Sequence, residues 1–331
     1  MVKGQRVTSF MQNVYPWLEP VWLKWQNLSE TDSVSGAMLC SAPKGTGLPE
    51  LAKHFAHTLV CSHSTSEPCG FCHSCALTQS GNHPDVHWVV AEKSGKSITV
   101  DQVRECNKWA QQSSQLGGKR VIIISPAEAM NESASNALLK TLESPSENCV
   151  FLLLTTNKNA LLPTIISRCQ KWQVAQPDIE QVYLWLKSES DVEINHTGIR
   201  LNNYAPLQSL QFFESGQYQH FLTLQQALFD LLAGDSCHYS SIYLLLKDDF
   251  LARLNWLAII LSDIQKRHFA IEEIGLCSLS KELMTVVPYQ SAYKASTALA
   301  ELTHQFTTFS GLNQELLLTN WLIELQEDLC S

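Results

Sequence analysis

The sequence lacks several features that would each have indicated a class of protein. No apolar run is long enough to cross a membrane as a helix. Positive charge is in the minority, because 23 Lys and Arg stand against 32 Asp and Glu, and the net charge of −9 argues against a stand-alone nucleic-acid binder. No internal repeat or low-complexity segment is present. With 331 residues, 45% of them hydrophobic, the chain is expected to be globular with more than one domain.

One loop has the spacing of a phosphate-binding P-loop but lacks the side chains that bind the nucleotide. Residues 42–49 (APKGTGLP) follow an apolar segment and precede a helical pattern. In the functional motif a lysine reaches the phosphates and a hydroxyl holds Mg²⁺. Here Leu48 and Pro49 stand at those two positions, after Gly45 and Gly47. The loop is therefore predicted to be a degenerate P-loop, and no ATP is expected in it.

The acidic pair that an ATPase uses to hold its metal is also missing. The apolar run 120–124 is predicted to be a buried strand, and Ser125 and Pro126 follow it where the acids belong. Glu128 could be a displaced acid, but we interpret it as a solvated residue of the next turn. Without the lysine and the Mg²⁺ ligands the machinery for phosphoryl transfer is incomplete.

Four cysteines form the strongest positive motif in the chain. They are Cys61, Cys69, Cys72 and Cys75. Four thiolates suit the tetrahedral coordination of Zn²⁺ and leave no open position for water, so a structural zinc is predicted. Disulfides are disfavoured because no apolar signal segment is seen and a reducing compartment is expected. His63 or His73 could each replace a thiolate.

The pattern along the chain changes from alternating strands and helices to helices alone. Residues 1–176 predict an α/β domain with a parallel sheet, because apolar strand patterns alternate with helical ones. The predicted strands are 37–40, 86–91, 121–124 and 150–155, and the predicted helices are 50–60, 100–113 and 131–143. After residue 176 helical periodicity continues, first in 177–217 and then in 218–331. The last segment could be a self-contained bundle or an oligomerisation domain.

Several short motifs occur in an order that resembles a known family. They are GNHPD at 81–85, ITVDQVRE at 98–105, SNALLKTLE at 135–143, LLTTN at 153–157 and Ser-Arg-Cys at 167–169. Together with the cysteines, they resemble the clamp-loader branch of the AAA+ ATPases over about the first 180 residues. In that family an intact P-loop and acidic pair mark the γ/τ motor subunit of bacterial DNA polymerase III. The loss of both, with Ser-Arg-Cys retained, resembles a non-hydrolysing stator subunit of the same complex.

The resemblance implies a fold and a function. The expected fold is an AAA+ P-loop NTPase-like core (1–176) with a zinc insertion (about 61–75), a helical lid (177–217) and an all-α C-terminal oligomerisation collar (218–331). Arg168 is implied as an arginine finger that reaches the nucleotide of a neighbouring subunit. The implied partners are δ and γ/τ in a hetero-pentameric ring, which loads the β sliding clamp on primed DNA.

The expected setting is the bacterial cytoplasm, at the replisome, with no membrane partner. We expect no ATPase activity of the chain itself within the DNA-directed DNA polymerase III holoenzyme.

Two other functions remain possible from the sequence. An active clamp-loader ATPase could use an unconventional ligand such as Lys44, which lies on the loop before the helix. A free-standing zinc-dependent nucleic-acid module would fit the cysteines, but neither the acidic balance nor the rest of the chain. Binding of ATP to the isolated protein would discriminate between the stator and the active ATPase.

Overall fold

The computed structural model describes residues 14–93, 95–234, 238–309 and 311–330. The chain divides into two compact units, Met1–Pro177 and Asp178–Ser331. The first unit is built around a parallel sheet, and the described part of the second is helical. The finer division of the second unit at residue 217 stays a prediction.

A five-stranded parallel sheet forms the centre of the first unit, as the alternating pattern predicts. Its strands are β1 (Gly36–Ser41), β2 (Val86–Val89), β3 (Arg120–Ile124), β4 (Cys149–Thr155) and β5 (Gln170–Gln173). The spatial order is β2-β3-β4-β1-β5. Every residue of β3 and β4 is buried, which explains their unbroken apolar runs. The polar edge strand β5 was not predicted.

Helices cover both faces of this sheet. They are α1 (Glu19–Glu30), α2 (Leu48–Val60), α3 (His73–Gln79), α4 (Val100–Gln111), α5 (Glu132–Glu143) and α6 (Pro163–Ile166). Alternate strand residues such as Leu39, Ile124 and Leu153 pack in one core cluster with the buried sides of α4 and α5. On the other face the Trp25 and Phe55 rings, from α1 and α2, lie 4.7 Å apart and are fully buried. The predicted helices after residues 47, 100 and 131 are confirmed, while α1 and α3 were not predicted.

A buried ion pair fixes the connection from α4 to β3. Asp85 and Arg120 are 0% and 2% exposed, and their side chains meet at 2.8 Å. The Asp85 carboxylate also accepts hydrogen bonds from the backbone N–H groups of Gln115 and Leu116. Burial raises the pKa of Asp85, but the hydrogen bonds from Arg120 and from these two N–H groups outweigh it and lower the pKa. The aspartate of the GNHPD motif is therefore a structural residue that orders the loop before β3.

The described part of the second unit consists of helices. They are α7 (Ile179–Glu189), α8 (His196–Leu201), α9 (Pro206–Glu214), α10 (Gln217–Leu232), α11 (Tyr239–Leu246), α12 (Phe250–His268), α13 (Ser280–Val286), α14 (Tyr289–Thr308) and α15 (Gln314–Cys330). A small apolar cluster that includes Val182, Leu186 and Ile199 lies among α7 to α9. A larger one fills the bundle from α10 onward and also includes Leu201 of α8 and Phe212 of α9. A buried ion pair between Arg200 and Asp263 joins α8 to α12.

Candidate functional site

The degenerate P-loop leaves the carboxyl end of β1, the usual place for a ligand in an open α/β sheet. Its two glycines have φ values of 77° (Gly45) and 84° (Gly47), in the region that disfavours other residues. A Cβ on Gly47 would lie 2.4 Å from the Tyr15 ring, so this glycine is required for that close approach. The Trp17 indole stacks on Tyr15 and donates a hydrogen bond of 2.6 Å to the Thr46 carbonyl. The aromatic side chains of Trp17 and Tyr15 therefore pack on the loop at Thr46 and Gly47.

The two positions that should carry nucleotide ligands have become packing positions. Leu48, where the lysine belongs, is 5% exposed and begins α2 together with Pro49. The Thr46 hydroxyl is engaged with the Pro43 carbonyl at 2.8 Å. Lys44, the unconventional ligand of the alternative hypothesis, lies exposed on the loop. No side chain at residues 43–49 is thus placed as a phosphate or Mg²⁺ ligand of the usual kind.

The structure corrects our interpretation of Glu128. This residue lies just beyond β3, and one carboxylate oxygen accepts hydrogen bonds from the Thr156 hydroxyl (2.7 Å) and backbone N–H (2.9 Å). Burial opposes ionisation, but hydrogen bonds from Thr155 and Thr156 lower the Glu128 pKa. Glu128 is therefore a half-buried link between the ends of β3 and β4 and is not a solvated turn residue. In the LLTTN motif Thr155 ends β4 and Thr156 follows it, so the two partners of this link are 28 residues apart in the sequence.

The four cysteines converge at one point, as their spacing predicts. All four Sγ atoms lie within 4.8 Å of one another, in the group Cys61, Cys69, Cys72 and Cys75. The Sγ of Cys75 is 3.8 Å from the Sγ atoms of both Cys61 and Cys69. Four sulfurs about 2.3 Å from a central zinc ion would be spaced by about 3.8 Å. These distances are far too long for disulfides, whose S–S bonds are about 2.05 Å, and the four cysteines are free.

Backbone groups favour the thiolate form at this cluster. The Cys69 N–H points to the Cys61 sulfur, and the Cys75 N–H to the Cys72 sulfur, each at 3.4 Å. Although burial opposes ionisation, hydrogen bonds from the Ser62 and Cys75 backbone lower the pKa of Cys72 to about 5. Burial and the neighbouring sulfurs instead raise the pKa of Cys75, so the four thiols of the cluster differ in how readily they ionise. Burial likewise raises the pKa of Cys106, in the core beside the sheet, to about 12. The two histidines considered as substitute ligands, His63 and His73, are exposed and do not belong to the group of four sulfurs, although the His63 side chain hydrogen-bonds Cys72.

The cysteine segment is fastened to the core through Glu67, a residue with no sequence signal. One carboxylate oxygen accepts hydrogen bonds from the Trp22 indole (3.1 Å) and from the Gln26 side chain (2.8 Å), both on α1. The other lies 2.8 Å from a ring nitrogen of His54 on α2. The cluster and α1 therefore hold each other in place.

Arg168 lies two residues beyond α6, in a partly exposed position. Its side chain is 33% exposed, and its Nε donates a hydrogen bond of 3.0 Å to Oε1 of Glu143 at the end of α5. Nη2 contacts the same oxygen, and Nη1 donates to the Thr164 carbonyl at 3.0 Å. Its neighbour Cys169 is buried, consistent with packing. The structure does not bring Arg168 together with the cysteine cluster, which forms a separate site.

Comparison with known proteins gives consistent results over nearly the whole chain. The family described as DNA polymerase III, delta subunit, matches residues 17–178, and its C-terminal counterpart matches residues 215–327. The chain is 32% identical to DNA polymerase III subunit delta′ of Haemophilus influenzae, covering 95% of this chain and 98% of that protein. It is 31% identical to the Escherichia coli subunit, covering 94% and 95% respectively. The Yersinia pestis subunit is 32% identical, with 94% and 95% covered.

Among the described residues, no helix has both the length and the apolar character needed to cross a membrane.

Proposed function

This chain belongs to the family of DNA polymerase III delta′ subunits, and on that premise we propose that it is the non-hydrolysing stator of a clamp-loader ring. In this proposal Arg168 serves as an arginine finger for the ATP site of a neighbouring γ/τ subunit. The ring also contains δ, and it loads the β sliding clamp on primed DNA during chromosome replication.

The absence of hydrolysis is supported by the state of the chain's own nucleotide loop. A buried Leu48 cannot supply the charge that a lysine brings to the phosphates, and Trp17 and Tyr15 contact the loop from outside. Ser125 and Pro126 offer no carboxylate for Mg²⁺. Phosphoryl transfer depends on positioning and on positive charge around the phosphates, so a site without these ligands is not expected to turn over.

The observation that carries the proposal is the contrast between this loop and Arg168. The nucleotide ligands are gone, yet a partly exposed arginine remains with its guanidinium held by defined contacts. A guanidinium offers a planar fork of donors that matches phosphoryl oxygens. Supplied in trans, such a group can accelerate hydrolysis by about 10³- to 10⁵-fold.

We propose that the four cysteines hold a structural Zn²⁺. The sulfur spacing fits a zinc tetrahedron, and backbone donors stabilise the thiolates that bind the metal. When bound, the ion would cross-link residues 61–75, a segment too small to bury a core of its own. Glu67 would then present a fixed carboxylate to α1 and α2.

We also propose that residues 177–217 form the lid and residues 218–331 the oligomerisation collar. The lid has an apolar cluster of its own in α7 to α9, which supports this division, while Leu201 and Phe212 of the lid pack in the cluster of the collar. The buried pair of Arg200 and Asp263 argues for a stiff connection between lid and collar, because a shift of α8 would leave Asp263 buried without its counter-charge.

Substitution of Arg168 tests the proposal in the reconstituted ring. Arg168→Ala should leave the chain folded and able to join the ring, because a partly exposed side chain outside the core contributes little to stability. ATP hydrolysis and clamp loading should both fall. The loss of hydrolysis should be partial, because one of the ring's ATP sites is affected. Arg168→Lys should recover little, since an ammonium lacks the planar fork.

Lys108→Ala is the matched control, because it removes an exposed positive charge from α4. It should leave hydrolysis and loading unchanged. Wild-type hydrolysis and loading by a ring shown by gel filtration to contain the Arg168→Ala subunit would refute the proposed role.

A further inference from the structure

We propose that Glu143 is a positioning residue for Arg168, an inference that rests on the arginine finger proposed above. The two residues belong to different motifs of the sequence, SNALLKTLE and Ser-Arg-Cys. In the structure, the last residue of α5 meets the arginine that follows α6. Glu143 sets the orientation of the guanidinium before a nucleotide of the neighbouring subunit reaches it.

The contacts define the plane of the guanidinium and not merely its location. Nε and Nη2 both donate to Oε1 of Glu143, which engages one edge of the group. Nη1 donates to the Thr164 carbonyl, which engages a second nitrogen. A guanidinium has five N–H donors. These described contacts use three and leave two donors, one on Nη1 and one on Nη2, for an acceptor outside the chain.

The groups that hold Arg168 are themselves attached to the core. Glu143 follows Leu142, which is 5% exposed, and α5 also buries Leu138 completely against the sheet. Thr164 precedes Ile165 in α6, and Ile165 is fully buried. The backbone of Glu143 and the Thr164 carbonyl are therefore fixed with respect to the sheet, and the 52% exposed Glu143 side chain reaches Arg168 from that fixed backbone. A long side chain would otherwise sample many rotamers, and its ordering would have to occur at each encounter with the nucleotide.

A different ion pair of the same unit shows what an ordinary surface contact looks like. Asp32 is 83% exposed and Lys119 16%, and they meet through one contact of 3.0 Å, between a carboxylate oxygen and the ammonium nitrogen. Such a contact does not fix the direction of the cation, and exposed pairs of this kind contribute little to stability. The Arg168 contact instead combines two donors on one carboxylate oxygen with a third on a carbonyl.

Presteady-state hydrolysis in the reconstituted ring tests this role. The phase that is lost in the ring with Arg168→Ala belongs to the site served by this subunit. Glu143→Ala should slow that same phase by roughly 10-fold or more, because a displacement of about 1 Å at a reacting group can cost about 10²-fold. The KM for ATP should be unchanged. Glu143→Gln should recover part of the rate, since its amide oxygen can still accept the hydrogen bonds.

The double variant separates positioning from an independent effect. Because Glu143 acts through Arg168, adding Glu143→Ala to Arg168→Ala should cause no further loss. Asp32→Asn is the control and should leave the rates unchanged. The isolated Glu143→Ala chain should unfold at the same urea midpoint as the wild type.

The outcomes distinguish this inference from the function on which it rests. An unaffected ring with Arg168→Ala would refute the finger itself. If the Arg168→Ala ring hydrolyses ATP slowly but the Glu143→Ala ring does so at a normal or higher rate, the positioning role alone would be overturned. A higher rate would mean that the Glu143 carboxylate competes with the phosphates for Arg168. Losses that multiply in the double variant would also overturn it.

Discussion

Restoring the two missing side chains of the P-loop should not restore nucleotide binding. The double substitution Leu48→Lys with Pro49→Thr recreates the lysine and the hydroxyl of the functional motif. It leaves the Trp17 and Tyr15 contacts in place, and it supplies no acidic ligand at the end of β3. We therefore expect a less stable protein that still has no ATPase activity.

The expected loss of stability follows from the burial of Leu48. This side chain is 5% exposed, and fully burying a leucine contributes about 1.5–3 kcal/mol. A lysine at the same position can extend its ammonium toward water while its stem stays in the apolar site. The cost should therefore stay near that of the lost leucine, about 2 kcal/mol. Leu51→Lys, at a 3% exposed position of the same helix, is the control for burial of a lysine.

Urea unfolding with and without Mg-ATP measures both effects. A site with a Kd of about 0.1 mM would raise the free energy of unfolding by about 2.3 kcal/mol at about 5 mM ATP. We expect no such increase for the wild type, the double variant or Leu51→Lys. A rise of more than about 1 kcal/mol that is confined to the double variant would show that only two side chains separate this loop from a working site.

Two further predictions concern the metal cluster and the buried ion pair. Cys72→Ser should abolish zinc binding in a metal analysis, whereas the control Cys106→Ser, in the core beside the sheet, should retain it. Full zinc occupancy after Cys72→Ser would contradict the assignment. Asp85→Ala should lower the free energy of unfolding by about 3–5 kcal/mol in urea, because it leaves Arg120 buried without a counter-charge. Since the folded-state pKa of Asp85 is lowered, its contribution is complete above the unfolded pKa of about 3.9 and is lost as pH falls through the folded value. The variant should therefore show a weaker pH dependence in acid, and an equal dependence would contradict this.

The predictable parts of the fold are the strands and helices whose burial produces a recognisable pattern of apolar residues in the sequence. Both faces of β3 and β4 are covered, so their apolar runs are continuous and their limits were placed within one residue. The edge strand β5 has mostly exposed, polar residues, and its pairing with β1 leaves no such pattern. Helix α1 carries Trp22 and Trp25 on its buried side, but polar residues around them weaken the helical signal.

The site was predictable where ligands are close in sequence and was not where they come together only in the fold. The cysteines follow one another within fifteen residues, so their convergence could be inferred from spacing. Glu128 was misread because its partner, Thr156, follows another strand, β4. The Trp17 contact with Thr46 and the role of Glu67 could not be predicted for the same reason, because the partners are far apart in the sequence.

The contrast between the degenerate P-loop, which follows the carboxyl end of β1, and Arg168, which precedes β5, has a physical logic. A nucleotide site must stay open and keep charged groups partly desolvated, and both requirements reduce stability in a subunit that never turns over. A buried Leu48 in place of the lysine avoids this loss of stability, and the loop is packed. An arginine that acts in trans has the opposite requirement, because it must remain accessible and already oriented. Arg168 meets both conditions, because it is partly exposed and is held by Glu143, the last residue of a helix that packs on the core.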